Sequence, residues 1–126
     1  EDFIKKIEYC AEATPKDISW QVYEELESFE PFGEANREPV FLLKNMQVSA
    51  LDVLGNGKKH LRLMLQPITN YQLPVTSYKA MAFSMGDRAS EIAIGDNIDM
   101  LFNFAIDEWN GNRELMLRVV DFRKVI

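Results

Sequence analysis

The chain has 126 residues, 47% of them apolar and 27% charged, with a net charge of −6. That is the profile of one soluble globular domain able to bury a sizeable core, and it excludes a disordered or collagen-like chain. No apolar run approaches the roughly 18 residues a membrane helix needs, and the single cysteine, Cys10, excludes an internal disulfide framework and fits a reducing, cytoplasmic compartment.

Glu1 starts the chain without an initiator methionine or a signal-peptide pattern, as expected of a fragment of a longer protein. From Phe3 to Ala13 the apolar positions Phe3, Ile4, Ile7 and Ala11 follow the helical period, and Pro15 stops the segment. A second helix is expected from Asp17, whose carboxylate can cap the amides that follow, through Trp20, Val22, Tyr23 and Leu26 to about Phe29. EPFGEANREP then breaks the helical pattern with two prolines and a glycine.

Beyond that break the period changes to that of strands. The first strand runs from Pro39 to Ala50 with Val40, Leu42, Met46 and Val48 on one face, Lys44 interrupting it and Leu43 on the other. After the Gly55-Asn56-Gly57 turn, His60 to Gln66 alternates cleanly, with Leu61, Leu63 and Leu65 inward and His60, Arg62 and Met64 outward. Pro67 and Pro74 bound a loop, Tyr78 to Phe83 reads as a third strand, and Met85 to Gly95 as a connector with room for one helical turn. The longest alternation follows: Ile98, Met100, Phe102, Phe104 and Ile106 on one side, with Asp99, Asn103 and Asp107 on the other. Asn110-Gly111 is a strong hairpin signal, and Glu114 to Phe122 pairs back with Leu115, Leu117 and Val119 inward. Five antiparallel strands with one apolar face each must close around that face. The fold class is therefore mainly β: a five-stranded OB-fold barrel preceded by one or two N-terminal helices.

The chemistry available is narrow. One histidine and one cysteine fifty residues apart support neither a zinc site nor a nucleophilic triad. Asp96, Asp99, Asp107 and Glu108 read as solvated surface, not as a metal or acid–base pair: Asp107 and Glu108 are adjacent in a strand and point to opposite faces, and Asp96 sits in a turn where it caps its own backbone. Gly55 and Gly57 precede a strand and lack the following helix that a phosphate-cradling loop requires.

Binding is better supported, because the acidity is confined to the front. Glu1 to Asn36 holds ten acids against three lysines, a net −7, while the remaining ninety residues carry eleven cations and ten acids. In an OB-fold the face of the second and third strands and the loops joining strands one to two and four to five form the usual nucleic-acid groove. Here those loops are LGNGKK and WNGNR. Lys58, Lys59, His60, Arg62, Lys79, Trp109, Arg113 and Arg118 are the expected nucleic-acid-binding residues: cations to track phosphates and flat or soft groups for bases. The groove requires the Gly57 and Gly111 bends on a common rim and Arg62 open to solvent. Lysine and arginine also occur at hairpin tips simply because they solvate exposed edges.

In this order the residues resemble the C-terminal OB domain of the RecJ family, bacterial single-strand-specific DNA exonucleases of the DHH phosphoesterase superfamily. The resemblance runs from about Asp17 to Arg123 in four blocks. FEPFGEANREPVF (Phe29 to Phe41) resembles the family's opening segment, with Ala35 and Arg37 where glycine and proline are usual. GKKHLRL (Gly57 to Leu63) resembles its basic hairpin, with Arg62 for the usual lysine. AMAFSMGD (Ala80 to Asp87) is similar to the third strand and its exit, and GDNIDMLFNFAIDEWNGNRELMLRVVDFR (Gly95 to Arg123) to the final hairpin, with Asp107 where asparagine is common. The resemblance implies that residues 1–30 are a helical linker from a missing catalytic core and residues 31–126 the OB-fold domain. It implies a non-catalytic single-stranded-DNA-binding module of a 5′–3′ exonuclease acting in DNA repair and recombination. No cofactor is expected in this fragment, and a divalent metal (Mn or Mg) is expected in the missing core. The implied partners are single-stranded DNA and the parent DHH catalytic core. A protein-docking module on that core or on a single-strand-binding protein is the alternative, with Met64, Met81 and Met116 as its adaptable apolar contact.

Overall fold

The structure, a computed structural model, describes residues 11–28, 39–68 and 76–126. Cys10, most of the expected first helix, Phe29 to Glu38 of the opening segment and the Pro74 side of the loop after Pro67 lie outside the described residues. Among the described residues there are six strands, β1 (Ala11–Ala13), β2 (Phe41–Leu54), β3 (His60–Pro67), β4 (Tyr78–Ala82), β5 (Asn97–Trp109) and β6 (Asn112–Lys124), and one α-helix, α1 (Trp20–Glu27). The sheet order is β1-β2-β3-β4-β6-β5, and β5 pairs back onto β2. Strands β2 to β6 therefore close into the OB-fold barrel. Among the described residues no helix is long and apolar enough to cross a membrane.

Closure requires β2 to serve β3 and β5 at once, and a bulge makes this possible. Its register with β5 shifts between Leu43 and Met46, and Asn45 takes a positive φ of 55°, a conformation asparagine tolerates better than most residues. The extra residue switches the strand's parity. Leu43, Met46 and Val48 enter the core, while Leu42 pairs with Leu101 on the opposite face. The expected assignment of Leu42 inward and Leu43 outward is thus reversed, because strict alternation does not survive an inserted residue. Asp99 secures the bend: its Oδ1 accepts the Asn45 N–H at 3.0 Å, and its Oδ2 lies 3.1 Å from an Arg123 guanidinium nitrogen. Asp99 is buried, so its expected place on the solvated surface is also corrected.

The core follows the alternation elsewhere. Leu61, Leu63 and Leu65 of β3, Ala80 and Ala82 of β4, Ile98, Met100, Phe102 and Phe104 of β5, and Leu117 and Val119 of β6 are buried together. The connector after β4 contains the expected helical turn as a 3₁₀ segment, Gly86–Glu91. Arg88 pins it to β6 by donating to Asp121 Oδ1 at 2.6 Å and to the Phe122 carbonyl at 3.0 Å.

The front end differs from expectation. Residues Ala11–Ala13 form a strand, not the end of a helix, pairing in parallel with Phe41 to Leu43. The β2–β3 ladder ends at the Met46–Pro67 pair, where proline offers no N–H, and β1 occupies the edge of β2 left open beyond it. That tertiary opportunity overrides a short helical period. Nor does Asp17 cap α1: its carboxylate accepts the Thr14 N–H at 2.8 Å within a separate turn, and Ser19 Oγ caps the helix by accepting Val22 N–H at 3.2 Å. Ile18, Val22, Tyr23 and Leu26 pack against the barrel.

Asp99→Ala removes the acceptor of the Asn45 amide and one partner of Arg123. It is expected to cost about 1–3 kcal/mol in urea unfolding, with Asp99→Asn recovering part of the loss because an acceptor oxygen remains.

Candidate nucleic-acid interface

The hairpin joining β2 to β3 turns through Gly55, Gly57 and Lys58, all at positive φ, and closes with Lys58 N–H donating to the Gly55 carbonyl at 3.0 Å. Residues after β4 hold this tip from outside. Gly86 N–H donates to the Lys59 carbonyl at 2.8 Å, and a Cβ on Gly86 would stand 2.1 Å from the Lys58 carbonyl oxygen, so glycine is a steric requirement there. Ser84 N–H donates to His60 Nδ1 at 3.0 Å, which makes Nδ1 the unprotonated nitrogen of that ring. The imidazole meets Phe83 edge to face at 5.5 Å. His60 therefore braces the tip. Lys58 and Lys59 are exposed and line a depression of about 310 Å³ with Gly57, Ser84 and Asp87. Among the described residues neither ammonium has an ion-pair partner.

One step along the barrel, a row crosses five strands: Asp52, Arg62, Met81, Arg118 and Asn103 are successive register partners. Arg62 bonds Asp52 at 3.0 Å with its side chain 40% exposed, so it is open to solvent as expected. Arg118 Nε donates to Asn103 Oδ1 at 2.9 Å. In the next row Met64 pairs with Lys79. Lys79 is hydrogen-bonded to Asp107 and lies 3.0 Å from Glu114, its own side chain only 17% exposed. Burial works against the Lys79 charge, but hydrogen bonds to Asp107 and then Glu114, reinforced by their charges, outweigh it and hold the ammonium above its ordinary value. Its charge already has two internal partners. Met116, expected as an exposed docking contact, is 8% exposed, which removes one of the three methionines from that alternative.

The second tip, Asn110-Gly111, carries Trp109, 49% exposed. Arg113 lies 3.9 Å from Glu108 and over the Trp20 ring at 5.4 Å. The two bends do not share a rim. β4 runs antiparallel to β3, pairing Leu61 with Ala82 and Leu65 with Tyr78, and parallel to β6. The lysine tip consequently lies beyond the Ala82 end of β4 and the Gly111 tip beyond its Tyr78 end. Five strand residues at about 3.3 Å each put more than about 15 Å between them. The expected groove along a common rim is thereby corrected to an open face with a cationic element at either end. The structure brings together Lys58, Lys59 and His60, sets Arg62 and Arg118 in one row on either side of Met81, and leaves Trp109 and Arg113 on opposite faces of the β5–β6 hairpin, Arg113 pairing with Glu108 and Trp109 with Asn112. Gly86, Phe83 and Trp20 went unread in the sequence; the Trp20/Tyr23 spacing in SWQVYEEL reads as core-facing.

Among the described residues no three His, Cys, Asp or Glu side chains come together as metal ligands. The model of the RecJ OB domain family matches residues 11–121. The chain belongs to the RecJ OB-domain family. It is 24% identical over 121 residues to the single-stranded-DNA-specific exonuclease RecJ of Bacillus subtilis, covering 96% of this chain and 15% of that protein. It is 31% identical over 104 residues to the protein of the same description from Thermus thermophilus, covering 82% and 13%. A crystal structure of Thermus thermophilus RecJ in complex with Mg2+ superposes with a TM-score of 0.63 at 28% identity, covering 90% of this chain and 16% of that one. The chain thus spans about a seventh of the RecJ relatives it matches.

Two outcomes follow for this RecJ OB domain. Lys79 has a raised pKa in the folded state, so its stabilising contribution is fully present below the unfolded lysine value near 10.4 and is lost as pH rises through the folded value. Lys79→Met is expected to destabilise at pH 8, with the gap to wild type closing above about pH 10.5 in chemical unfolding. Gly86→Ala forces the hairpin backbone aside and should lower stability by about 1–3 kcal/mol, with faster hydrogen exchange at the Gly86 amide position.

Proposed function

We propose that this chain is the non-catalytic module with which a RecJ-like 5′–3′ exonuclease holds single-stranded DNA. In this reading it works in the cytoplasm in DNA repair and recombination, beside a DHH catalytic core that carries the divalent metal, Mn or Mg. The observation that carries the reading is the pair Lys58 and Lys59: two exposed ammoniums with no ion-pair partner among the described residues, on a tip whose backbone is pinned by Gly86. Membership of the RecJ OB-domain family, whose matched relatives are described as specific for single-stranded DNA, supports it. A strand entering at this tip crosses the face of β3, β4 and β6, where Met81 between Arg62 and Arg118 offers a soft apolar patch flanked by guanidinium groups. Bases rest on such patches while cations follow the phosphates. Lys79 contributes by neutralising Asp107 and Glu114, which would otherwise repel the backbone.

Oligo-dT binding at several salt concentrations tests the reading. Changing Lys58 and Lys59 together to Gln should weaken binding and flatten the log–log salt slope by about 0.7 per lost phosphate contact. Arg62→Gln, already paired with Asp52, should change the slope less. An unaltered slope in the double variant would remove the lysine tip from the interface.

A further inference from the structure

We propose that the cleft where the starts of α1, β4 and β6 meet is a separate subsite that takes one unpaired nucleobase, stacked against Trp20 and Arg113. The inference rests on the reading that the open face holds single-stranded DNA, and it adds to that face a contact from outside the barrel. α1 turns Val22, Tyr23 and Leu26 to the core, yet the Trp20 ring remains 39% exposed. It borders a cleft of about 300 Å³, walled also by Ser19, Tyr78, Arg113, Glu114 and Leu115.

The walls are held in place before any ligand arrives. Tyr78 donates its hydroxyl to the Pro15 carbonyl at 3.2 Å. The Trp20 ring meets Tyr23 edge to face at 5.8 Å, and Tyr23 in turn bonds Glu27 at 3.0 Å. Arg113 lies over the indole at 5.4 Å, and its ion pair with Glu108 is long at 3.9 Å. Its guanidinium can therefore offer a flat surface to a base while donating to the adjoining phosphate, two modes by which arginine engages unpaired nucleotides. Glu114, the carboxylate in the wall, is offset by Lys79 at 3.0 Å.

An indole ring, a stacked cation and a compensated acid suit a base attached to a phosphate better than an apolar peptide, which would need a closed hydrophobic groove. The cleft also lies at the Gly111 end, more than about 15 Å from the lysine tip. A strand touching both covers the whole face, in keeping with the roughly 4–16 nucleotides one OB fold accommodates.

The chain has two tryptophans, so Trp109→Phe leaves Trp20 as its sole indole. This full-length variant is titrated at low salt with end-labelled oligo-dT of about 15 nucleotides, near the upper site size of one OB fold, following label anisotropy and indole emission together. Emission should fall saturably in step with the anisotropy, and an abasic oligomer of equal length should bind without that quench. In the wild-type background Trp20→Ala should weaken binding about tenfold, as for one lost stacked base. A rise in anisotropy with unchanged emission, or equal quenching by the abasic strand, overturns the subsite and leaves the open face in place. If anisotropy stays flat for wild type as well, both readings fail. The emission readout needs Trp20 intact, so a Trp20→Ala chain that does not fold leaves the test decisive.

Discussion

A ring of five strands closes only if one strand can pair with a different neighbour along each edge, and here that strand is β2, antiparallel to both β3 and β5. Its bend at Asn45 is a left-handed backbone conformation. Asp99 accepts the amide of that residue from 54 residues away, and Arg123 holds the carboxylate in position. The bend turns Leu43, Met46 and Val48 into the core and lets β5 reach β2 on the edge opposite β3. With that closure made, β4 can only lie between β3 and β6, antiparallel to one and parallel to the other, and the ends at which the two hairpins emerge are settled.

The same closure sorts the charges. Cations on the strands find acids on neighbouring strands: Arg62 finds Asp52 and Lys79 finds Asp107 and Glu114, while Arg88 of the connector finds Asp121. Cations on a bend that projects beyond the ladder have no such neighbour in the register, and Lys58 and Lys59 have no ion-pair partner among the described residues. A face with a neutralised middle and a positive end is suited to bases lying flat across the centre and phosphates gripped at the tip. The rigidity of that tip matters as much as its charge, because a pre-positioned cation loses less freedom on meeting a phosphate than one on a loose loop.

Stacked against this is the helix. α1 is short, with eight residues, and it reaches the barrel with one face while Trp20 looks outward at its start. An amphipathic period assigns such a residue to the core because it counts positions around the helix and ignores how far the barrel extends beneath it. At the first turn the indole is left partly exposed, with Arg113 over its ring.

How far the sequence could be read depends on whether a feature is local. Alternation in β3, β5 and β6 and the glycine and Asn-Gly turns are local, and they determined these strands, the two hairpins and the barrel. The inward set of β2 was not legible, since a bulge shifts parity and is stabilised by a residue in another strand. Neither was β1, whose helical period lost to an open sheet edge, nor the role of His60, which depends on Ser84 and Phe83 arriving after β4. Above all, the sequence determined that two hairpin tips carry cations, while only the tertiary structure decided that they stand at opposite ends of the face. Each turn is written in its own few residues, but their separation is set by the direction in which β4 pairs with β3 and β6, and strand direction is a property of the closed sheet.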